Sequence, residues 1–197
     1  MGKLFLALLI GLVGAAIVHI AIVFSIPLQA ENDAWGRLSR LGALFAVVRI
    51  EDRPNTAGGD AQEPGFAFVD PAFIDSACRF SLEDGPVRLT ADERTGFWTA
   101  SVYARNGDNL YSISERVALE GALDLLIGTR EQLDLARVEG TELPDQTVTV
   151  ELATDEGYVM VRSLVDSRSE RPFVDRFVRS ITCRPATDEE AGRPASG

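Results

Sequence analysis

Residues 97–116 read FWTASVYARNGDNLYSISER, and this stretch decides the fold class. Apolar and polar side chains alternate along Phe97–Ala104, the period of a half-buried strand. Asn106-Gly107 follows, a dipeptide suited to the positive backbone angles of a tight hairpin turn, and Leu110–Ser114 supplies a returning strand. Alternation puts Trp98, Ala100, Val102 and Ala104 on one face, with Phe97, Thr99, Ser101 and Tyr103 on the other. Trp98 and Val102 are therefore expected in a core. Tyr103, Arg105, Asn109, Tyr111 and Arg116 combine amphipathic aromatics with cationic and amide groups, a composition suited to a ligand or partner surface.

Short apolar runs separated by turn residues continue on both sides of the hairpin. Cys78–Leu82 ends at Glu83-Asp84-Gly85-Pro86, and Val87–Ala91 ends at Asp92–Gly96. Further strands are expected at Ala122–Ile127, Thr147–Ala153 and Tyr158–Val165, the last two joined through Thr154–Gly157. Asp70-Pro71 is a helix-start signal and predicts a helical turn over 71–76. Thr129 and Gln132 fit a capping box, so a short helix is expected at 130–137. Phe173, Val174, Phe177, Val178 and Ile181 share one helical face behind Pro172, and Asp175 to Arg179 has the spacing of a favourable ion pair. The expected fold is α+β: a mostly antiparallel β sandwich or rolled sheet with short flanking helices.

The N-terminus has a different character. Leu4–Ile26 (LFLALLIGLVGAAIVHIAIVFSI) contains no permanent charge and as a helix covers roughly 34 Å, enough to cross a hydrocarbon core of about 30 Å. Leu28-Gln29-Ala30 imitates a signal-peptide cleavage site, but the apolar run exceeds the usual 7–15 residues of such a leader. The reading is an uncleaved single transmembrane helix in contact with lipid over 4–26. Ala7, Gly11, Ala15 and His19 form a stripe at four-residue spacing that would let a second helix approach, in a homodimer or with another membrane protein. Trp35, Leu38, Leu41, Phe45 and Val48 suggest a juxtamembrane helix over 33–48, with Trp35 at the interface. Residues 51–65 are rich in turn formers and read as a linker. The chain thus divides into an anchor (1–30), a juxtamembrane helix and linker (31–65), a β-rich domain (66–184) and a disordered tail (185–197).

The charge balance excludes one class of partner. Thirty acidic residues against nineteen basic ones give a net charge of −11, which disfavours nucleic acid. Cys78 and Cys183 are the only cysteines. In an exported domain they can close a disulfide, and the alternative is two buried thiols. The only histidine, His19, lies in the apolar segment, so the β-rich domain has no histidine for a catalytic triad or a metal site. Glu83-Asp84, Asp92-Glu93 and Asp155-Glu156 fall in turns and match no calcium loop. No cofactor or metal is expected.

Several strings carry a resemblance: DPAF at 70–73, CRF.L..GPVR at 78–88, FW..SVY.R.G.N.YS at 97–112, Leu123-Asp124-Leu125, and Arg179–Cys183. Together with the N-terminal helix they resemble a family of small proteobacterial inner-membrane proteins built on a domain of unknown function. Its larger relatives carry a second domain of unknown function. The resemblance implies a β-rich domain on a single-pass inner-membrane anchor, and it carries no catalytic residue. The expected function is a non-enzymatic interaction or accessory module of the cell envelope, facing the periplasm. The alternative is a ligand-binding or carboxylate-based enzymatic domain using the Tyr103–Arg116 hairpin.

Overall fold

The computed structural model describes residues 2–30, 33–50, 70–138 and 144–186. Its first element, α1 (Gly2–Ala30), is a continuous helix. Gly2–Ser25 has a mean hydropathy of 2.7 and its side chains are exposed rather than buried in the rest of the chain. By length and composition it is able to cross a membrane. The loop expected at 51–65 and the tail from 187 onward lie outside the described residues.

Two sheets follow. The first has the order β1 (Val47–Ile50), β2 (Phe73–Ser81), β8 (Glu156–Leu164), β4 (Trp98–Ala104), β5 (Asn109–Ser114), all antiparallel. The second has the order β7 (Val148–Glu151), β6 (Asp124–Gly128), β3 (Val87–Ala91), β9 (Ile181–Pro185), with a single parallel pair, β6 with β7. Trp98, Ala100 and Val102 project into the space between the sheets together with Phe80, Leu89 and Val159, and all are fully buried. Burial of Val102, Phe80, Leu89 and Val159 contributes on the order of 1.5–3 kcal/mol each. The alternation predicted for the hairpin is therefore the one observed. The Trp98 indole N–H also donates to the Gly121 carbonyl at 3.0 Å, which satisfies its one polar atom.

Helix α3 (Arg130–Val138) begins with the expected capping box. The Thr129 N–H donates to Gln132 Oε1 at 3.0 Å, and the Gln132 N–H donates to Thr129 Oγ1 at 3.3 Å. Gln132 Nε2 further donates to the Leu82 carbonyl at 2.6 Å, fixing the helix start against the chain that leaves β2. Helix α4 (Arg171–Ser180) buries Val174, Phe177 and Val178, as its periodicity requires.

Four expectations are corrected. Residues 71–76 are not helical: Asp70 accepts the Ala72 N–H on Oδ1 and the Phe73 N–H on its carbonyl, both at 3.0 Å. Aspartate here caps a turn rather than a helix, and the strand begins at Phe73 because β1 and β8 both offer it a ladder. The juxtamembrane helix ends at Leu41 as α2 (Asp33–Leu41), and β-branched Val47, Val48 and Ile50 continue as β1. The strands at 148–151 and 156–164 are not a hairpin; the turn between them crosses from one sheet to the other. Asp175 reaches across to Arg49 at 2.8 Å in place of Arg179. Strand β9 is an addition, and it takes Ile181, which was expected on the face of the last helix.

Gly157 shows how closely the first sheet is packed. A Cβ at this position would lie 2.5 Å from the Tyr103 carbonyl oxygen and 2.8 Å from Phe80 Cζ. Only glycine lets β8 pass between them.

Candidate functional site

The outer face of the first sheet, turned away from the core, carries an arginine–aromatic cluster. Tyr103 of β4 and Tyr158 of β8 are register partners. Their rings stack with centroids 5.0 Å apart and planes 11° from parallel. Helix α2 lies across this face, burying Leu38 against Ile50, Ala77 and Tyr158. One turn earlier two guanidinium groups lie over the Trp35 ring, Arg79 at 4.9 Å and Arg105 at 5.4 Å from its centroid. Such contacts are worth about 0.5–2 kcal/mol each, more where water is excluded. Trp35 therefore packs on the sheet.

Each arginine has a second anchor. Arg79 Nη2 donates to the Gly42 carbonyl at 2.8 Å, and the Phe45 N–H donates to the Arg79 carbonyl at 2.8 Å. Arg105 pairs with Glu156. Phe45 holds φ at 63°, a left-handed conformation that costs a non-glycine residue on the order of 1 kcal/mol. Its ring nonetheless packs against the core between the sheets, which offsets the strain. The turn from α2 into β1 is thus bound to β2 through both backbone and side chain.

Burial moves two titrations in this cluster. It lowers the Arg79 guanidinium below its ordinary value, an effect partly opposed by Glu156. It pushes the Tyr158 phenol up to about 12, with Tyr103 adding to the shift. The protonated phenol therefore favours the folded state. Stability from this group is fully present below the unfolded value of about 10 and is lost as pH rises from there towards 12. A spectroscopic titration of tyrosinate should show a late phase that Tyr158→Phe removes. Identical titrations of the two proteins across that window would refute the burial argument.

The hairpin residues singled out in the sequence are divided by the fold. Tyr103 and Arg105 join the cluster with Trp35, Arg79, Tyr158 and Glu156. Tyr111 pairs with Val102 and turns to the opposite, core-facing side. A bulge between Val102 and Tyr103 sets Asn109 opposite Tyr103, where its amide donates to Ser112 Oγ at 3.1 Å. Arg116 is exposed beyond the strand end, 3.9 Å from Glu115. The five do not converge. Trp35, Arg79, Tyr158 and Glu156 were not anticipated, because only strand order brings them together.

Two further features lie elsewhere. Cys78 of β2 and Cys183 of β9 are joined by a disulfide across 105 residues, with Cα atoms 6.5 Å apart; it ties one sheet to the other. A groove of about 360 Å³ is lined by Arg94, Thr95, Gly96, Glu170, Phe173 and Val174 and contains none of the hairpin candidates. Arg94 is engaged there by the carbonyl and carboxylate of Glu120, at 2.6 and 3.2 Å.

These features define a two-sheet, disulfide-linked β domain behind an apolar helix, with an arginine–aromatic clamp where the helical segment meets the sheet. The chain belongs to the family described as "Protein of unknown function (DUF1254)", whose model matches residues 55–185. Residues 33–50, which supply Trp35 and β1, precede the matched segment. No curated protein matches the chain. Among solved structures, the VPA0106 protein of Vibrio parahaemolyticus is similar at 9% identity with a TM-score of 0.57, over 84% of this chain and 38% of that one. A putative uncharacterized protein from Burkholderia cenocepacia aligns at 12% identity with a TM-score of 0.44, over 88% of this chain and 43% of that one. The Vibrio protein shares the fold. The chain spans about two fifths of the length of either structure.

Proposed function

We propose that the chain is a single-pass inner-membrane protein whose β domain faces the periplasm and acts as a non-enzymatic interaction module of the cell envelope. The observation that carries this reading is the occupation of the hairpin's best candidate residues by the chain itself. Tyr103 and Arg105 contact Tyr158, Glu156 and Trp35. A ligand-binding or carboxylate-based site would need Arg105, Asn109 and Tyr111 to converge, and they lie on different faces. The disulfide supports an oxidising compartment, and α1 supports the anchor. Affinity purification from gently solubilised membranes tests the reading: a stoichiometric membrane partner is expected. Recovery of the chain alone, with a small molecule retained by the β domain, would overturn it.

The partner surface within the membrane is proposed to be the stripe of Ala7, Gly11, Ala15 and His19. Residues at this spacing share one helix face, and in the structure nothing lies within 4 Å of a Cβ placed on Gly11. Gly11→Leu is expected to lower association of the helix in a membrane reporter assay. Unchanged association would remove the stripe as the contact.

A further inference from the structure

We infer that the exposed side of α2 and the turn after it form a bilayer-contact surface that seats the β domain on the membrane from which α1 emerges. This rests on the reading of α1 as a membrane anchor and deepens it. The first observation is the length of the connection. Between Ala30, the last residue of α1, and Asp33, the first of α2, lie only residues 31 and 32. Three Cα-to-Cα steps cover at most about 11 Å, so α2 starts within that distance of the end of α1, close to the membrane surface.

The second observation is that α2 is not a free spacer. Leu38 is buried beneath it, Trp35 is clamped by Arg79 and Arg105, and the following turn is bonded to Arg79 through Gly42 and Phe45. A domain whose own sheet holds α2 this firmly, with its N-terminus at the bilayer, is held at the bilayer too.

The third observation is what the rest of this segment presents. Leu41 and Leu44 are 44% and 41% exposed, and Arg40 and Ala43 are exposed beside them. Exposed leucines flanked by arginine are the composition of an interfacial helix, with apolar groups entering the headgroup boundary and the cation meeting phosphate. Charge agrees. Residues 33–46 hold two arginines, Arg37 and Arg40, against one acid, Asp33, whereas the chain as a whole carries −11. An anionic bilayer therefore repels most of the domain and tolerates this face.

The test uses the full-length chain in vesicles of phosphatidylethanolamine and phosphatidylglycerol, with single cysteines introduced by Leu41→Cys, Leu44→Cys or Glu131→Cys. Glu131 is exposed on α3, which packs on β6 and β7 of the other sheet. The native cysteines are joined to each other, so a fluorophore reports only the introduced site. Flotation with vesicles, strong quenching by nitroxide-bearing lipid at residues 41 and 44, and none at residue 131 are expected. Arg40→Glu in the Leu44→Cys background should lose most of that quenching. Flotation with equal, weak quenching at all three sites would overturn the seating surface and leave the anchor standing. Failure to float would overturn both.

Discussion

Replacing Cys78 and Cys183 together with alanine is expected to destabilise the β domain by about 4–5 kcal/mol, the chain-entropy value for a loop of roughly 100 residues. The bridge encloses a separation of 105 residues, nearly the whole of the two sheets. Its position suggests that little of this is offset by lost structure in the native state. β2 is flanked by β1 and β8, whereas β9, among the described residues, is an edge strand whose ladder partner is β3. Without the bridge, β9 and the α4 helix that precedes it keep their hydrogen bonds and core contacts, but the unfolded chain regains the freedom that the crosslink removes. For a domain of this size the midpoint of thermal unfolding should fall by on the order of 15 °C. Both cysteines are buried, at 1% and 7% exposure, so a reductant should act on the wild type only as the domain opens. Equal unfolding temperatures for the wild type and the double variant would show that the thiols are unbridged in the protein as isolated, and would remove the support for an oxidising compartment.

The parts of the fold that were legible in the sequence are those whose signals are local. The 97–116 hairpin is written in strict alternation around Asn-Gly, and the α3 cap in two residues three apart. The cysteines were readable because they had no other partner. What failed depended on neighbours distant in sequence. Phe73–Ser81 reads FIDSACRFS, with Asp75 and Arg79 on the outer face and Ser76 among the buried positions, so it has no clean period of two. Asp75 is accommodated by the Arg162 guanidinium, 3.1 Å away on β8, and that partner lies 87 positions along the chain. The same reasoning covers the site. Tyr103 and Arg105 were visible as an aromatic and a cation side by side. Trp35, Arg79, Glu156 and Tyr158 became their neighbours only once β8 had entered between β2 and β4. The chain also passes between sheets at five of its eight strand connections, and among the described strands β1–β2, β4–β5 and β6–β7 are the pairs adjacent both in sequence and in a sheet. A reading built on successive hairpins could not recover that order.

Arg88→Ala is expected to cost about 3–5 kcal/mol, the loss seen when one partner of a buried ion pair is removed. Arg88 of β3 and Asp124 of β6 are both 4% exposed. They meet in a two-pronged contact, Nε to Oδ1 at 3.0 Å and Nη2 to Oδ2 at 2.8 Å. Thr147, at the entry to β7, donates its hydroxyl to Asp124 Oδ2 at 2.9 Å, so one carboxylate links three neighbouring strands of the second sheet. Without Arg88 that carboxylate keeps the threonine hydroxyl but loses its counter-charge in a place water does not reach. Folding must then leave a desolvated anion. Arg88→Met with Asp124→Leu removes both charges at similar volume and should be close to neutral. Denaturant unfolding of the three proteins decides the matter. A single variant no worse than the double would show that packing, not charge, holds these strands. Both residues fall within the strings that carry the family resemblance, GPVR ending at Arg88 and Leu123-Asp124-Leu125, as do both ends of the disulfide. Those strings therefore have a structural explanation: they join strands and sheets, and in this chain the outer-face cluster at Trp35 is where the fold meets the rest of the molecule.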